Sequence, residues 1–301
     1  MPSASHSSSP SADAAPRNPV GTHLKVGSGL VRGALARAEE IGAECFQVFV
    51  GNPRGWAASA GDPRVDAMFR SAVREAGLRV FVHTPYLVNL GSPTPATYER
   101  SVAAVAHNLR RAADIGAEGV VVHTGSCVAE GGVDTAMAQI RAGLLPVLDA
   151  LDRLGGEGPS LLLEPTAGQG RSLCAGVEDL GPYLAALDQH PTVGICLDTC
   201  HLFAAGAPLD EPGGAAATLD RLVEVAGPER LRLVHANDSK DVRGSLRDRH
   251  ERIGEGHLGL TAFEELLGHP STAGVPFLLE TPGSWDVGDP QIELLKKLRD
   301  A

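Results

Sequence analysis

The sequence lacks the features of a membrane-spanning or disulfide-stabilised protein. Across its 301 residues, no apolar run approaches the ~18 residues that a transmembrane helix requires. The cysteines number five, an odd count, and no two of them are spaced as Cys-x-x-Cys. This usage argues against a disulfide framework and indicates a reducing compartment. We therefore expect a cytoplasmic protein with no membrane partner.

A positive net charge is also missing. The formal charge is -11 at pH 7, whereas proteins that hold DNA through bulk electrostatics are usually basic. Charge alone therefore disfavours a nucleic-acid partner. A DNA-binding function would have to depend on local features of the chain.

No composition shift or linker divides the chain after its first residues. Residues 1–20 are rich in Ser, Ala and Pro and contain no long apolar stretch, so they are predicted to be a disordered tail. This tail also lacks the apolar segment of a targeting sequence. Residues 21–301 are predicted to form one domain.

Short apolar runs alternate with longer helical patterns along this domain. Gly42, Gly77 and Gly116 follow the first helical patterns, as expected for residues that end helices. The predicted strands are a short one near Leu24, then Cys45–Val50, Arg79–Val82, Gly119–Val122, Leu161–Leu163, Val193–Leu197, Leu231–Val234 and Phe277–Leu279. Their apolar runs are continuous, which is typical of strands buried on both faces of a parallel sheet.

Eight strand–helix units within about 280 residues predict an α/β fold of one (β/α)₈ TIM barrel, whose active site lies at the C-terminal face of the strands. A doubly wound open sheet is the structural alternative. The sequence has no glycine-rich phosphate-binding fingerprint after its first strand, and this absence favours the barrel.

Metal-binding or proton-transferring residue types close six of the eight predicted strands. These residues are His83, His123, Glu164, Asp198, His235 and Glu280. Each one alone is as well explained as a polar residue that ends a strand. Six together, on strand ends that converge on one face of a barrel, indicate a functional site.

Two further clusters add donors to this set. His201 follows Asp198 by three residues, on a predicted loop above the barrel, and Asp248 and His250 lie together in a loop rich in Gly and Arg. Imidazole and carboxylate without thiolate suit catalytic Zn²⁺, or Mn²⁺ or Fe²⁺. Nine donors that share a bridging carboxylate can serve three ions, and divalent ions ~3.5–4 Å apart are suited to attack on a phosphodiester.

The same residues lie in motifs that resemble the endonuclease IV (deoxyribonuclease IV) family of apurinic/apyrimidinic endonucleases, within the xylose isomerase-like TIM-barrel superfamily. The motifs recur in the expected order from about Gly21 to the last strand. They are His83–Gly91, His123–Ser126, Glu164–Gly168, Leu197–His201, His235–Lys240, Asp248–His250, Gly254–Gly256 and Leu279–Thr281.

The resemblance implies three zinc ions and a grouping of their ligands. The first ion would bind His83, His123 and Glu164, the second Glu164 as a bridge with Asp198, His235 and Glu280, and the third His201, Asp248 and His250. It also implies the substrate, which is the phosphodiester 5′ to an abasic site in duplex DNA. Hydrolysis would leave a 3′-hydroxyl and a 5′-deoxyribose phosphate, and blocked 3′ ends would also be trimmed.

The resemblance further implies catalytic roles for Glu280, which would orient the nucleophilic water or take its proton, and for the bridging Glu164. A monomer is expected. DNA contacts are expected from the following residues: Arg54, Tyr86, Leu87, Lys240, Arg249 and His23. Two local sequences depart from the family pattern. Lys25-Val26 replaces a small Ser-containing stretch, and Pro165 replaces an Asn after the bridging glutamate.

Two other functions remain open from the sequence. A sugar isomerase or epimerase on the same barrel would also use His and carboxylate ligands, but for one or two ions. It would have no use for Asp248, His250 or Arg54. A catalytically inactive barrel that binds damaged DNA is the second alternative, and the complete ligand set argues against it.

Overall fold

The apolar runs form eight parallel strands that close into a barrel. The computed structural model describes residues 16–128, 132–153 and 158–301. The barrel strands are β1 (Val20–Leu24), β2 (Cys45–Val48), β3 (Arg79–His83), β4 (Gly119–His123), β5 (Ser160–Glu164), β6 (Val193–Asp198), β7 (Leu231–His235) and β10 (Phe277–Leu279). Neighbouring strands around the barrel follow the order β1-β10-β7-β6-β5-β4-β3-β2. The predicted TIM barrel is confirmed.

Helices surround the barrel. They are α1 (Ala36–Glu40), α2 (Pro63–Glu75), α3 (Pro95–Ile115), α4 (Gly132–Asp152), α5 (Leu180–Ala186), α6 (Thr199–Ala205), α7 (Gly214–Ala226), α8 (Leu260–Gly268) and α9 (Gln291–Arg299). A π-helical segment at Leu30–Leu35 leads into α1, and 3₁₀ turns lie at Val177–Asp179 and Pro270–Thr272. No helix in the described part of the chain is long and apolar enough to cross a membrane.

Glycine ends the early helices, as the sequence predicts. Gly42, Gly77 and Gly116 have φ angles of 67°, 67° and 75°, in the left-handed region that residues with a Cβ enter at a cost. Gly116 is the clearest case, because its backbone N–H donates to the carbonyls of the last turn of α3. Each glycine therefore turns the chain from a helix back toward the next strand.

Apolar side chains fill the barrel on both sides of the strands. The interior holds a small cluster: Cys45, Phe81, Val121, Leu162, Cys196, Leu233 and Leu278. A larger cluster lies between the strands and the surrounding helices. The strands are thus buried on both faces, which fixes the positions of the residues at their C-terminal ends.

The predicted boundary between tail and barrel, after residue 20, is too late. Strand β1 begins at Val20, and the buried side chain of Asn18 donates to the carbonyl oxygen of Val275 at 2.9 Å. Arg17 contacts the Asp300 carboxylate at the other end of the chain. The prediction of disorder for residues 1–15 lies outside the described residues.

Four elements above and after the barrel were not predicted. His201 lies in helix α6, not in a loop, because Asp198 caps a helix of seven residues. Two short strands, β8 (Asp238–Ser239) and β9 (His250–Glu251), form an antiparallel hairpin after β7. Helix α9 follows the last barrel strand. The hairpin matters most for the site, because it carries Asp248 and His250 toward the barrel.

Candidate metal centre

The predicted strand-end residues meet at one face of the barrel. His123 and Glu164 are partners in the register of β4 and β5, and Asp198 and His235 are partners in that of β6 and β7. Neighbouring parallel strands end at the same level, so their last side chains lie side by side. Glu280, which follows β10, also faces His235, with Oε2 3.6 Å from Nδ1.

Glu164 lies at the centre of this group and is fully buried. Its Oε2 atom is 3.3 Å from His83 Nε2 and 3.2 Å from His123 Nε2. Its Oε1 atom is 2.9 Å from His235 Nδ1. The two oxygens of one carboxylate therefore face different histidines, which is the arrangement a bridging ligand between two ions requires.

Asp198 connects the strand ends to helix α6. Its Oδ1 accepts from the backbone N–H of His201 at 2.9 Å, which caps the helix. Its Oδ2 accepts from Asn237 Nδ2 at 2.7 Å and lies 3.4 Å from His250 Nε2. One carboxylate thus sets the position of His201 while its other oxygen faces the centre.

The β8–β9 hairpin supplies the remaining two donors. Ser239 pairs with His250 in its register, and the hairpin holds His250 Nε2 3.0 Å from Asp248 Oδ1. Asp248 Oδ2 is 3.3 Å from His201 Nε2. His201, Asp248 and His250 therefore converge, although they come from a helix, a loop and a strand.

Oxygen acceptors orient four of the five histidine rings. The Nδ1 atoms of His83 and His201 donate to the carbonyl oxygens of Thr84 and Pro165, at 2.7 and 3.0 Å. His250 Nδ1 lies 3.4 Å from the carbonyl oxygen of Glu280.

The fourth ring is held by a side-chain amide, since His235 Nε2 donates to Gln47 Oε1 at 3.1 Å. In each ring the other nitrogen is left to face the carboxylates. Metal-binding histidines are commonly oriented in this way. Pro165, which departs from the family pattern, preserves the orientation of His201, because only its carbonyl oxygen takes part in the contact.

Carboxylates and imidazoles shift one another's pKa at this face. Burial lowers the pKa of His201, but Asp198, Asp248 and Glu164 outweigh it and raise the pKa to about 10. Burial likewise lowers the pKa of His250, and Asp198 with Asp248 raises it to about 9. In the chain alone, protons on histidines thus balance the carboxylates.

The two glutamates are ionised. Burial opposes ionisation of Glu164, yet His235 and His123 hold its pKa well below the usual range. Burial opposes ionisation of Glu280 too, and His235 and His23 hold its pKa well below the usual range. Anionic carboxylates surrounded by ring nitrogens suit a divalent cation, which would replace the protons on the same atoms.

The donor atoms lie close enough together to share ions. Groups such as His83, His123 and Glu164, and His201, Asp248 and His250, place their ligand atoms within 4.8 Å of one another. His250 Nε2 is buried and lies 3.0 Å from Asp248 Oδ1, but in an orientation that does not form a hydrogen bond with it. A buried nitrogen that faces carboxylate oxygens without a hydrogen bond fits a metal ligand.

Cysteines are poorer ligands than the imidazoles and carboxylates here. Cys196 lies near Glu164 and His235, and Cys200 lies near Asp198. Burial raises the pKa of the Cys196 thiol to about 12. The histidine and carboxylate donors converge without these thiols, and nitrogen and oxygen donors of this kind suit Zn²⁺, Mn²⁺ or Fe²⁺.

A cleft of about 790 Å³ opens above the centre. Three of the predicted DNA-contact residues, His23, Arg54 and Tyr86, line it. The Tyr86 side chain is 58% exposed, and its neighbour Leu87 is 39% exposed. The Tyr86 backbone N–H donates to the Pro53 carbonyl at 3.0 Å, which joins the two loops of the rim.

The other predicted DNA-contact residues, Leu87, Lys240 and Arg249, do not line the cleft. Lys240 Nζ is 3.6 Å from Glu251, and Arg249 Nη1 is 3.5 Å from Asp241. Both side chains are exposed on the β8–β9 hairpin. Their charges are thus partly balanced by neighbouring carboxylates.

Two polar residues of the centre were missed from the sequence. Gln47 is fully buried in β2, and its Nε2 donates to Glu280 Oε1 at 2.7 Å while its Oε1 holds His235. Asn237, also buried, accepts from the Glu280 backbone N–H at 2.8 Å. The signal for Gln47 was a lone amide within an apolar strand, at a position that does not end the strand.

A family model described as "Xylose isomerase-like TIM barrel" matches residues 35–301. By fold and by sequence, this chain is a barrel of that class. A protein of Streptomyces avermitilis named "Probable endonuclease 4" is 54% identical over 284 residues, which cover 94% of this chain and 91% of the relative. The chain belongs to the endonuclease IV family, as its motifs predicted.

Solved structures agree with this assignment. Endonuclease IV from Thermus thermophilus superposes with a TM-score of 0.79 at 32% identity, over 94% of this chain and 97% of that one. A D-tagatose 3-epimerase-like protein gives a TM-score of 0.69 at 18% identity, over 94% and 97% of the two chains. The second likeness shows the shared fold alone.

Proposed function

We propose that this chain is a DNA-repair endonuclease that hydrolyses the phosphodiester 5′ to an abasic site in duplex DNA. The products are a 3′-hydroxyl and a 5′-deoxyribose phosphate, and blocked 3′ ends are trimmed at the same centre. Membership of the endonuclease IV family supports the reaction class. The observation that carries the proposal is the convergence of nine imidazole and carboxylate donors beneath an open cleft.

Three zinc ions are the proposed cofactors. His83, His123 and Glu164 would hold the first, Glu164, Asp198, His235 and Glu280 the second, and His201, Asp248 and His250 the third. The contacts of the two Glu164 oxygens with separate histidines support its role as the bridge. When bound, the ions neutralise phosphodiester charge and make water a stronger nucleophile at neutral pH.

Glu280 is proposed to orient the nucleophilic water or to take its proton. Its low pKa keeps the carboxylate anionic at neutral pH, so it can accept a hydrogen bond from a water molecule. Gln47 holds one of its oxygens, which leaves the other to face the centre. Glu164 contributes through its position between the two ligand groups.

The exposed side chains at the rim support recognition of a damaged duplex. Tyr86 and Leu87 are exposed, and Tyr86 and Arg54 line the cleft from neighbouring loops. An abasic site leaves a gap in the base stack. Side chains inserted into that gap, with the abasic nucleotide turned into the cleft, would bring its 5′ phosphodiester to the centre.

The test is a nicking assay on a duplex oligonucleotide that carries one tetrahydrofuran abasic analogue. The wild-type protein, loaded with zinc, is expected to cut 5′ to the analogue, and Glu280→Gln to lose about 100-fold or more in kcat. Metal analysis is expected to give about three zinc equivalents per chain. A wild type that leaves the duplex intact, or one that cuts no faster than Glu280→Gln, refutes the proposal.

A further inference from the structure

A lysine and a tryptophan form a contact at the edge of the cleft that the ligand set does not use. Lys25 Nζ lies 4.7 Å from the ring centroid of Trp285. Both residues line the cleft together with Arg54, Tyr86 and Glu280. A cation over the face of an indole is attracted by the ring, and this attraction restricts the position of the ammonium.

The barrel brings this pair together. Strands β1 and β10 are parallel neighbours, with Thr22 opposite Leu279, so the chain leaves both strands on the same side. Lys25 is the first residue after β1, and Trp285 follows β10 in the segment that also carries Glu280. The pair therefore lies beside the candidate centre because of the strand order.

Trp285 is held in place by its neighbour. Ser284 is buried, and its Oγ donates to Thr22 Oγ1 at 2.8 Å. Thr22 Oγ1 donates in turn to the Leu279 carbonyl at 2.9 Å. The segment before Trp285 is thus fixed to β1, and the indole packs partly against the core.

The Lys25 charge is not balanced by the protein. Its side chain is exposed, and no carboxylate oxygen of the described residues lies within 4.0 Å of its ammonium. Most other cations of the neighbouring loops have such a partner, as Lys240, Arg243 and Arg252 do. The Lys and Arg residues that line the cleft are Lys25 and Arg54, and neither has a carboxylate partner among the described residues.

We propose that Lys25, held over Trp285, binds a backbone phosphate of the DNA next to the phosphodiester that is cut. The proposal rests on the proposed function, because the anion it names belongs to that substrate. A DNA strand carries a phosphate at every nucleotide, so a free ammonium at the rim of a cleft that admits one phosphodiester meets an adjacent one. Lys25 is the contact, and Trp285 is a positioning residue that acts through it.

Binding and nicking of the same abasic-analogue duplex test this contact. Lys25→Ala is expected to raise both KM and the Kd measured by fluorescence anisotropy about 5- to 10-fold, with kcat within about 2-fold of wild type. The slope of log Kd against log salt concentration should become shallower by about one unit. Lys25→Arg should retain most of the affinity, because it keeps the charge.

The role of Trp285 is tested by non-additivity. Trp285→Ala should raise Kd less than Lys25→Ala, and the double variant should match Lys25→Ala, because the indole contributes only through the ammonium. Trp285→Phe, which keeps an aromatic face, replaces Trp285→Ala if the latter loses its folded thermal transition. Lys297→Ala removes an exposed lysine on α9, outside the cleft, and should leave Kd and the salt slope at wild-type values.

The outcomes separate the two proposals. If the wild-type protein nicks the duplex but Lys25→Ala has the same Kd and salt slope as Lys297→Ala, the phosphate contact is overturned. The proposed function is then unaffected. Fully additive effects of Lys25→Ala and Trp285→Ala overturn the positioning role. Wild type that binds the duplex without nicking it refutes the proposed function, and the salt slope of Lys25→Ala still decides the contact. If wild type neither binds nor nicks the duplex, both proposals fail.

Discussion

At the scale of single residues, Gln47 connects three members of the candidate centre. It accepts from His235, donates to Glu280, and lies 2.9 Å from His23 Nδ1. An amide has one acceptor and two donors, so these contacts use both of its polar atoms. The side chain therefore fixes the tautomer of His235 and the orientation of the Glu280 carboxylate at once.

Replacing Gln47 by Leu keeps the volume of the side chain and removes these hydrogen bonds. We expect kcat for nicking to fall about 10- to 100-fold, because a ligand and the proposed proton acceptor lose their orientation. Circular dichroism should show an unchanged fold. Gln189→Leu alters an exposed glutamine in the turn before β6 and should leave kcat unchanged. Equal activity of the two variants contradicts the role given to Gln47.

The raised pKa values of His201 and His250 predict how pH affects metal binding. Their folded-state values, about 10 and about 9, lie above the ordinary value of 6.5. In the metal-free chain, the stability from these two groups is fully present below the ordinary value and is lost as the pH rises through the raised values. Zinc would bind these histidines in place of the protons, so the stabilisation by zinc is expected to grow as the pH rises through the same values.

Zinc is therefore expected to raise the melting temperature of the metal-free protein more at about pH 8.5 than at about pH 6.0. Differential scanning calorimetry with and without a fixed excess of zinc measures the two shifts. His107→Gln, which alters a histidine on α3, should keep the same pH dependence. A zinc-induced shift that is equal at the two pH values would argue against proton release by the centre.

At the scale of elements, the turn after β9 depends on one buried carboxylate. Asp238 Oδ2 accepts from the backbone N–H groups of Gly254 and Gly256, and Oδ1 accepts from those of Leu258 and Ser239. These bonds tie the turn to β8. Because β8 pairs with β9, the same carboxylate stabilises the hairpin that carries His250.

Gly256 approaches this carboxylate too closely for a larger residue. A Cβ at this position would lie 2.4 Å from both Asp238 Oδ1 and the Ser239 carbonyl oxygen. Gly256→Ala is expected to lower the free energy of unfolding by about 1–3 kcal/mol. It should also weaken zinc binding at the proposed third position, because the hairpin has to shift.

Gly268→Ala is the matched control, since a Cβ at the end of α8 would meet no atom within 4 Å. Urea denaturation and metal analysis of both variants check the prediction. Gly256→Ala with the stability and zinc content of Gly268→Ala would contradict it.

The sequence predicted the barrel strands and most of the helices around them well, but it missed α6, β8, β9 and α9. Apolar runs buried on both faces are conspicuous, and the residues that close them fall at the C-terminal face by geometry alone. Helix α6 has seven residues, too few for a periodic pattern, and β8 and β9 have two residues each. Helix α9 was detectable, because Ile292, Leu295 and Leu298 repeat at helical spacing.

The candidate ligands could be found from the sequence because they occupy strand ends and short clusters. Their mutual contacts could not be found. The approach of Asp248 to His201 depends on a hairpin held by Asp238, and the orientation of His235 depends on an amide from β2. Such contacts join positions far apart in the chain, which no local pattern encodes.

At the scale of the whole molecule, the distribution of charge disfavours binding to DNA of any sequence through bulk electrostatics. The net charge is -11, and several cations around the cleft are paired with carboxylates. In the proposed function, attraction for DNA would therefore come from the metal centre and from a few side chains such as Arg54 and Lys25. A duplex without a flexible abasic nucleotide would reach only some of these groups.

An undamaged duplex is accordingly expected to bind at least about 100-fold more weakly than the abasic-analogue duplex at physiological salt. Fluorescence anisotropy on the two duplexes of matched sequence measures the ratio. Removal of zinc with a chelator should reduce the ratio, because the centre contributes most of the local positive charge. Similar affinities for the two duplexes would show that bulk electrostatics governs binding after all.

The hydrogen bond between the Tyr86 backbone N–H and the Pro53 carbonyl has a consequence for protein engineering. It makes the loops after β2 and β3 a single structural unit, although about thirty residues separate them in the chain. Transfer of either loop alone to another barrel would leave one of these backbone groups without its hydrogen-bond partner and would misplace the Tyr86 side chain. A graft of the proposed recognition surface must therefore carry both loops, with their lengths unchanged.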